Sequence, residues 1–164
     1  MFERCLIAYF SHSGNTKRIA KMIGELTKGS LYEICPQNPY PSTYKAVLDQ
    51  ARREIMNGVK PALKGQLPSL DEVAVVFVGT PNWWSTIAPP VASFLSQSDL
   101  AGKLVIPFCT HGGSGLARIA TDMERLVPGA KVLRGYATYE DGGQDTIAEL
   151  TSWLALIGGM KQMA

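Results

Sequence analysis

The sequence predicts an α/β protein in which a parallel sheet is doubly wound by helices. Three observations carry that expectation. Continuous apolar runs at residues 5–10, 73–78 and 104–108 lack the two-residue alternation of a half-solvated sheet, so they read as strands buried on both faces. Between them lie segments whose apolar residues recur at helical spacing. The chain alternates strand with helix five times, and right-handed crossovers between five parallel strands then leave a doubly wound sheet.

The first strand, 5–10, leads into a helix over 16–28 whose apolar face is Ile19, Ala20, Ile23 and Leu26. A shorter second strand is expected at 31–35. The stretch from 36 to 70 breaks the rhythm with Pro36, Pro39, Pro41, Pro61 and Pro68, yet it carries one helical pattern at Tyr44, Val47, Leu48, Ala51 and Ile55. Ser42 is placed to cap that helix and Gly58 to end it, which makes the stretch an embellished crossover to the third strand at 73–78. A helix around 91–95 follows, with Pro89 or Pro90 suited to its first turn. The fourth strand, 104–108, precedes a helix over 116–126 built on Leu116, Ile119, Met123 and Leu126. A last strand at 131–137 precedes a helix over 146–157 built on Ile147, Leu150, Leu154 and Ile157. No repeat or low-complexity tract divides the chain, so residues 1–164 read as one domain.

Composition excludes several classes of function. With 46% apolar and 18% charged residues the chain has the balance of a globular protein, and its longest apolar run, 73–78, is far too short to span a bilayer. The opening residues Met1-Phe2-Glu3-Arg4 lack the basic, apolar and small-residue sections of a secretory signal, so a cytoplasmic location is expected. A net charge of +2, with Lys and Arg scattered among Asp and Glu, gives no footprint for nucleic acid. Cys5, Cys35 and Cys109 sit in or beside strand-like runs, without a C-x-x-C pair, and are expected as thiols that bind no metal.

Three loops at the carboxyl ends of the strands hold unusual chemistry. The first is Ser11-His12-Ser13-Gly14-Asn15-Thr16, between a strand and a helix. Such a junction aims backbone N–H groups and the positive end of a helix dipole at one point, which suits a phosphate. Without a Lys-Ser or Lys-Thr pair it is not a nucleoside-triphosphate loop, and one glycine is too few for the dinucleotide fingerprint, so a monophosphate fits better. Ser11, Ser13 and Thr16 offer hydroxyls, Gly14 lets the backbone approach, and Asn15 tolerates a left-handed conformation or donates its amide. The plainer alternative is a helix cap made by Ser13 or Asn15. His12 adds a ring to a loop that already has enough donors.

The second loop, Gly79-Thr80-Pro81-Asn82-Trp83-Trp84-Ser85, puts two adjacent tryptophans among turn formers. Either can cover a planar heteroaromatic ligand, where offset stacking adds roughly 0.5–1.5 kcal/mol beyond burial, or fold back over the core. The third loop, Thr110-His111-Gly112-Gly113-Ser114-Gly115, brings backbone able to lie against a ring edge, and His111 reads as a proton donor, a ring contact or a polar loop residue. A serine-hydrolase elbow is excluded because Leu116 stands where its last glycine belongs.

With these loops in order, the sequence resembles the flavodoxin family. The family's phosphate loop, Thr/Ser-x-Thr-Gly-Asn-Thr, is matched by Ser11-His12-Ser13-Gly14-Asn15-Thr16, with Ser13 the one departure. The resemblance covers essentially the whole chain and implies the strand order 2-1-3-4-5 of a short-chain flavodoxin-like domain. It also implies noncovalent FMN, with the phosphate in the first loop and the ring between Thr80-Pro81-Asn82-Trp83-Trp84-Ser85 and Thr110-His111-Gly112-Gly113.

The expected function is an FMN-binding electron-transfer protein that passes electrons to a redox partner protein or a small-molecule acceptor. In it the flavin does the chemistry and no side chain need be catalytic. The alternative is an FMN-dependent NAD(P)H:quinone-type oxidoreductase, since Gly79-Thr80-Pro81 and His111-Gly112-Gly113 also resemble that enzyme group, and His111 would then assist proton transfer. The chain is expected as a monomer or a homodimer, the latter favouring the enzyme. A phosphoacceptor receiver is disfavoured because its acidic residues are missing at Phe10-Ser11 and Val78-Gly79. A tyrosine phosphatase is disfavoured because Ser11, not Arg, stands six residues after Cys5.

Overall fold

The computed structural model describes residues 2–163. Its elements, in chain order, are β1 (Cys5–Tyr9), α1 (Asn15–Thr27), β2 (Ser30–Glu33), α2 (Tyr44–Met56), β3 (Val75–Pro81), α3 (Pro89–Gln97), β4 (Leu104–His111), α4 (Ile119–Leu126), β5 (Lys131–Val132), β6 (Tyr136–Tyr139) and α5 (Thr146–Met163). The strands run in the order β2-β1-β3-β4-β5, all parallel, with β6 continuing beside β4. This is the expected doubly wound sheet.

Side chains alternate across each strand, and that sorts the core into two layers. Leu6, Ala8, Val76, Val78, Val105 and Cys109 face α2, α3 and α4, where they meet Val47, Ala51, Phe94 and Met123. Cys5, Ile7, Tyr9, Val75, Phe77, Ile106 and Phe108 face α1 and α5, where they meet Ile19, Ile23, Leu150, Trp153 and Ile157. The three central strands are buried on both sides, as their unbroken apolar runs require, while the edge strand β2 is largely exposed. Where β3 passes β4 the approach is close. A Cβ on Gly79 would stand 2.2 Å from Cζ of Phe108.

The last strand departs from the sequence expectation. The run 131–137 is split into β5 and β6, and the register beside β4 advances by one residue between them, from Val105↔Val132 to Phe108↔Tyr136. The cause is Pro107. The Val105 carbonyl accepts from Leu133 N–H, so Pro107, two residues on, faces the same neighbour and has no N–H to give it. The ladder breaks there and one residue bulges out. Gly135 fills the break because a Cβ would stand 3.0 Å from the Pro107 carbonyl oxygen.

Helix ends differ by small amounts, each with a local reason. The helix expected from Leu116 starts at Ile119 because Ala117 takes φ +46°, which helix geometry excludes. Thr43, not Ser42, precedes α2, and neither supplies a side-chain cap; Gly58, at φ +63°, follows its end. Both Pro89 and Pro90 stand in the first turn of α3. The crossover from α2 to β3 is pinned by Ser93 Oγ donating to the Pro61 carbonyl (2.6 Å) and Lys103 Nζ donating to the Leu70 (2.8 Å) and Val73 (2.7 Å) carbonyls. No helix among the described residues is long and apolar enough to cross a membrane.

Candidate functional site

Between β1 and β3 the strand order reverses, and beyond the carboxyl ends of these strands the connections to α1 and α3 leave in opposite directions. A cleft of about 350 Å³ opens there. Its walls come from all three loops: His12, Ser13 and Asn15 from the first, Pro81, Asn82 and Trp83 from the second, and Thr110, His111 and Gly112 from the third.

The first loop is organised by Gly14. It takes φ +100°, a conformation costly for residues with a Cβ, and is the N-cap of α1. Its N–H donates to Ser11 Oγ (3.2 Å) and its carbonyl accepts from Arg18 N–H (3.0 Å), so the first turn is wound tightly beneath the loop. No side chain caps the helix. The plainer alternative, a cap by Ser13 or Asn15, is therefore not what these residues form. Asn15, Thr16 and Lys17 are the first three helical residues, and helix geometry gives their N–H groups no intrahelical acceptor. The nearby cations are engaged elsewhere: Lys17 pairs with Glu33 (3.6 Å), and Arg18 donates to the Asp141 carbonyl. An anion seated here would be met by backbone dipoles and hydroxyls rather than by a side-chain charge. His12 is exposed and donates Nε2–H to the Pro41 carbonyl (3.0 Å), which fixes its ring over the loop.

Thr16 is almost fully buried, with its hydroxyl 2.8 Å from that of Thr110, also buried. The two threonines thus clamp the start of α1 to the end of β4 and present little of themselves to the cleft. Thr80 is likewise buried, donating to the Pro81 carbonyl (2.8 Å) and accepting from Ala88 N–H (3.0 Å). These hydroxyls hold the loops in shape.

The two tryptophans have opposite fates. Trp83 is buried edge-on against Phe10 (centroids 5.4 Å) and Tyr40 (5.2 Å), with one side on the cleft. Trp83 and Thr86 exchange backbone hydrogen bonds of 3.2 Å, so Trp84 and Ser85 become the tip of a two-residue hairpin with φ +57° and +67°. That turn swings the Trp84 ring away from the cleft onto α2, where Nε1–H donates to the Leu48 carbonyl (2.8 Å) and the Arg52 guanidinium lies 5.2 Å from the ring centroid. Trp84 and Ser85, which the resemblance implies at the ring, thus stand outside the residues that line the cleft.

Asn82 joins the second and third loops. Its N–H donates to the Thr110 carbonyl (2.8 Å), its Nδ2 to the Gly115 carbonyl (2.7 Å), and its Oδ1 accepts from Ser85 N–H (3.0 Å). In the third loop Gly113 N–H donates to His111 Nδ1 (3.0 Å), which places the proton of the neutral ring on Nε2. Burial pushes the His111 pKa below the ordinary histidine value. The imidazole is therefore a neutral donor at the cleft.

Sequence reading missed three lining residues: Tyr44, Tyr139 and Glu140. Tyr44 opens α2 and Tyr139 closes β6, with relative exposures of 68% and 56%. The Tyr139 ring stands edge-on to His111 at 6.2 Å. Position at the carboxyl end of a strand was a usable signal for Tyr139. Nothing local marked Tyr44.

The flavodoxin sequence profile matches residues 4–156. The chain belongs to the flavodoxin family. Among solved structures, the chain resembles a candidate flavoprotein from Bacteroides eggerthii at 30% identity and a TM-score of 0.84, over 94% of this chain and 98% of that one. A flavoprotein from Lactobacillus acidophilus in complex with FMN is 23% identical with a TM-score of 0.74, over 92% and 97% of the two chains. The oxidised flavodoxin 2 of Bacillus cereus shares the fold at 18% identity and a TM-score of 0.62, over 96% and 99%. No curated protein matches the chain.

Proposed function

We propose that the cleft holds FMN and that the protein is an electron carrier. The carrying observation is one continuous cleft that joins an uncapped helix N-terminus to a slot between aromatic lips at the strand-order switch. The residues fit the group. Gly14, Ser11, Ser13 and the first N–H groups of α1 suit a phosphate, and a Cβ at Gly14 would meet nothing within 4 Å, so the loop is open on that side. Trp83, Tyr139 and the Gly112-Gly113 backbone suit a flat ring. When bound, FMN supplies the redox chemistry, taking up electrons singly or in pairs.

The chain's own residues bind, orient and shield. Asn82 and the Thr16–Thr110 clamp hold the second and third loops at a set distance from the first. Trp83 closes the inner wall against water, and His111 keeps a proton on Nε2 at the ring end of the cleft. That proton favours a second reading, an FMN-dependent NAD(P)H oxidoreductase in which His111 assists proton transfer to a quinone-type acceptor.

Purified protein is expected to take up one FMN, with Gly14→Ala weakening uptake. A chain that ignores added FMN would sink both readings. Anaerobic titration of the loaded protein separates them: reduction in one-electron steps, with NAD(P)H inert, supports the carrier. Sustained NAD(P)H oxidation with a quinone supports the enzyme.

A further inference from the structure

From the cleft mouth a second surface runs along α2 to a groove on the far side of the Trp83–Thr86 hairpin. We infer that this surface docks a redox partner protein whose face is acidic around an apolar anchor. The inference rests on the electron-carrier reading above and names its partner.

Apolar exposure is the first ground. Tyr44, Met56, Val59 and Trp84, all exposed apolar side chains, lie on α2, just beyond it, or on the hairpin packed against it. Tyr44, Leu48 and Arg52 follow one another at four-residue spacing and so share one helix face, with Trp84 laid across its middle. Trp84 is held there in a left-handed backbone conformation with 43% of its surface in water. Trp, Tyr and Arg are the residue types that dominate binding energy when a partner covers them.

The groove is the second ground. It has a volume of about 270 Å³, room for a large apolar side chain, and a floor of Ile55, Ile87, Pro89, Ala92 and Leu126. Thr86 lines it while Trp83 lines the cleft, so a single hairpin separates the two. A chain anchored in the groove would lie beside the cleft mouth.

Charge decides the partner. Lys45, Arg52, Lys60, Arg118 and Arg125 are exposed on this face. Fewer carboxylates stand among them: Asp122 accepts from Thr86 Oγ1 and pairs with Arg118 (3.6 Å) and Arg125 (3.2 Å), and Glu54 accepts from Tyr40 (2.7 Å). Asp49 remains exposed beside them. Arg52 and Lys60 make no ion pair among the described residues, so the free charge is positive and complements an acidic face.

The test is direct association, with and without FMN, using an acidic plant-type ferredoxin and a basic cytochrome c as probes. The ferredoxin is expected to bind more tightly, and more weakly as salt rises. The double variant Arg52→Glu/Lys60→Glu is expected to slow association by about tenfold or more at low salt. Val59→Asp is expected to weaken binding at every salt concentration, and FMN uptake is expected to be unchanged in both. Ferredoxin that fails to bind, binds no better than cytochrome c, or binds the variants as well as the parent overturns the inference. Because association is read on apoprotein too, loss of the FMN reading is a separate result, seen in the FMN titration alone.

Discussion

The hydroxyls of Thr16 and Thr110, 94 positions apart in the chain, lie 2.8 Å from each other in a buried contact. One stands in the first turn of α1 and the other at the end of β4, so this bond sets the spacing between the first and third loops. Thr16→Val is expected to destabilise the fold by about 1–3 kcal/mol because it strands a buried hydroxyl. Adding Thr110→Val should cost less than the two single changes summed, and urea unfolding of the four-member cycle measures the difference.

Gly79→Ala is expected to be more disruptive than its size suggests. The new Cβ would lie 2.2 Å from Phe108 Cζ, inside a sheet buried on both faces. Forced displacement of a core ring typically costs about 1–3 kcal/mol. Phe108→Leu in the same chain should recover part of the loss, which thermal unfolding will show as non-additivity.

Ser85→Gly should stabilise the protein. Ser85 sits at φ +67°, where a Cβ costs about 1–2 kcal/mol, and the backbone N–H that binds Asn82 Oδ1 is unaffected by the change. Glycine's extra freedom in the unfolded chain returns about 0.5–1 kcal/mol of that, leaving a gain of up to about 1 kcal/mol in chemical denaturation.

His111 makes stability depend on pH in a definite direction. Its folded pKa is depressed by burial, so the unfolded chain binds the proton more readily. The contribution is complete above the ordinary histidine value of about 6.5 and is lost as pH falls through the lower, folded value. Protonation also removes the lone pair that accepts from Gly113 N–H. A melting-temperature profile between pH 4 and pH 8 should lose part of its acid slope in His111→Gln.

Much of this was legible in the sequence. Apolar runs without alternation disclosed the buried parallel strands, and the Ser11–Thr16 segment disclosed the strand-to-helix turn, because both signals are local. The misses are tertiary. Whether Trp83 or Trp84 faces the cleft depends on a turn in which Trp84 and Ser85 take a conformation their side chains disfavour, stabilised by Leu48 and Asn82 from elsewhere. Thr16 reads as a hydroxyl donor to the phosphate, yet its hydroxyl is consumed by that of Thr110 within the protein. Tyr44 reaches the cleft only because the crossover carries α2 back to it. The split last strand did have a local sign, Pro107, inside an apolar run.

That split governs which residues the cleft receives. Because the chain takes on one extra residue opposite Pro107, Tyr139 lands beside His111 and Tyr136 packs inward against Trp153, its hydroxyl given to Glu149 (2.7 Å) and its pKa pushed up to about 12 by burial and that bond. Without the bulge, the register Val105↔Val132 carried on unbroken through the same chain would reverse the strand's two sides beyond Pro107. Thr138 would then stand beside His111, Tyr139 would move past the strand's end, and Tyr136 would leave its place against α5. The bulge works as a phase setter: one residue of slack assigns one tyrosine to the core and the other to the mouth.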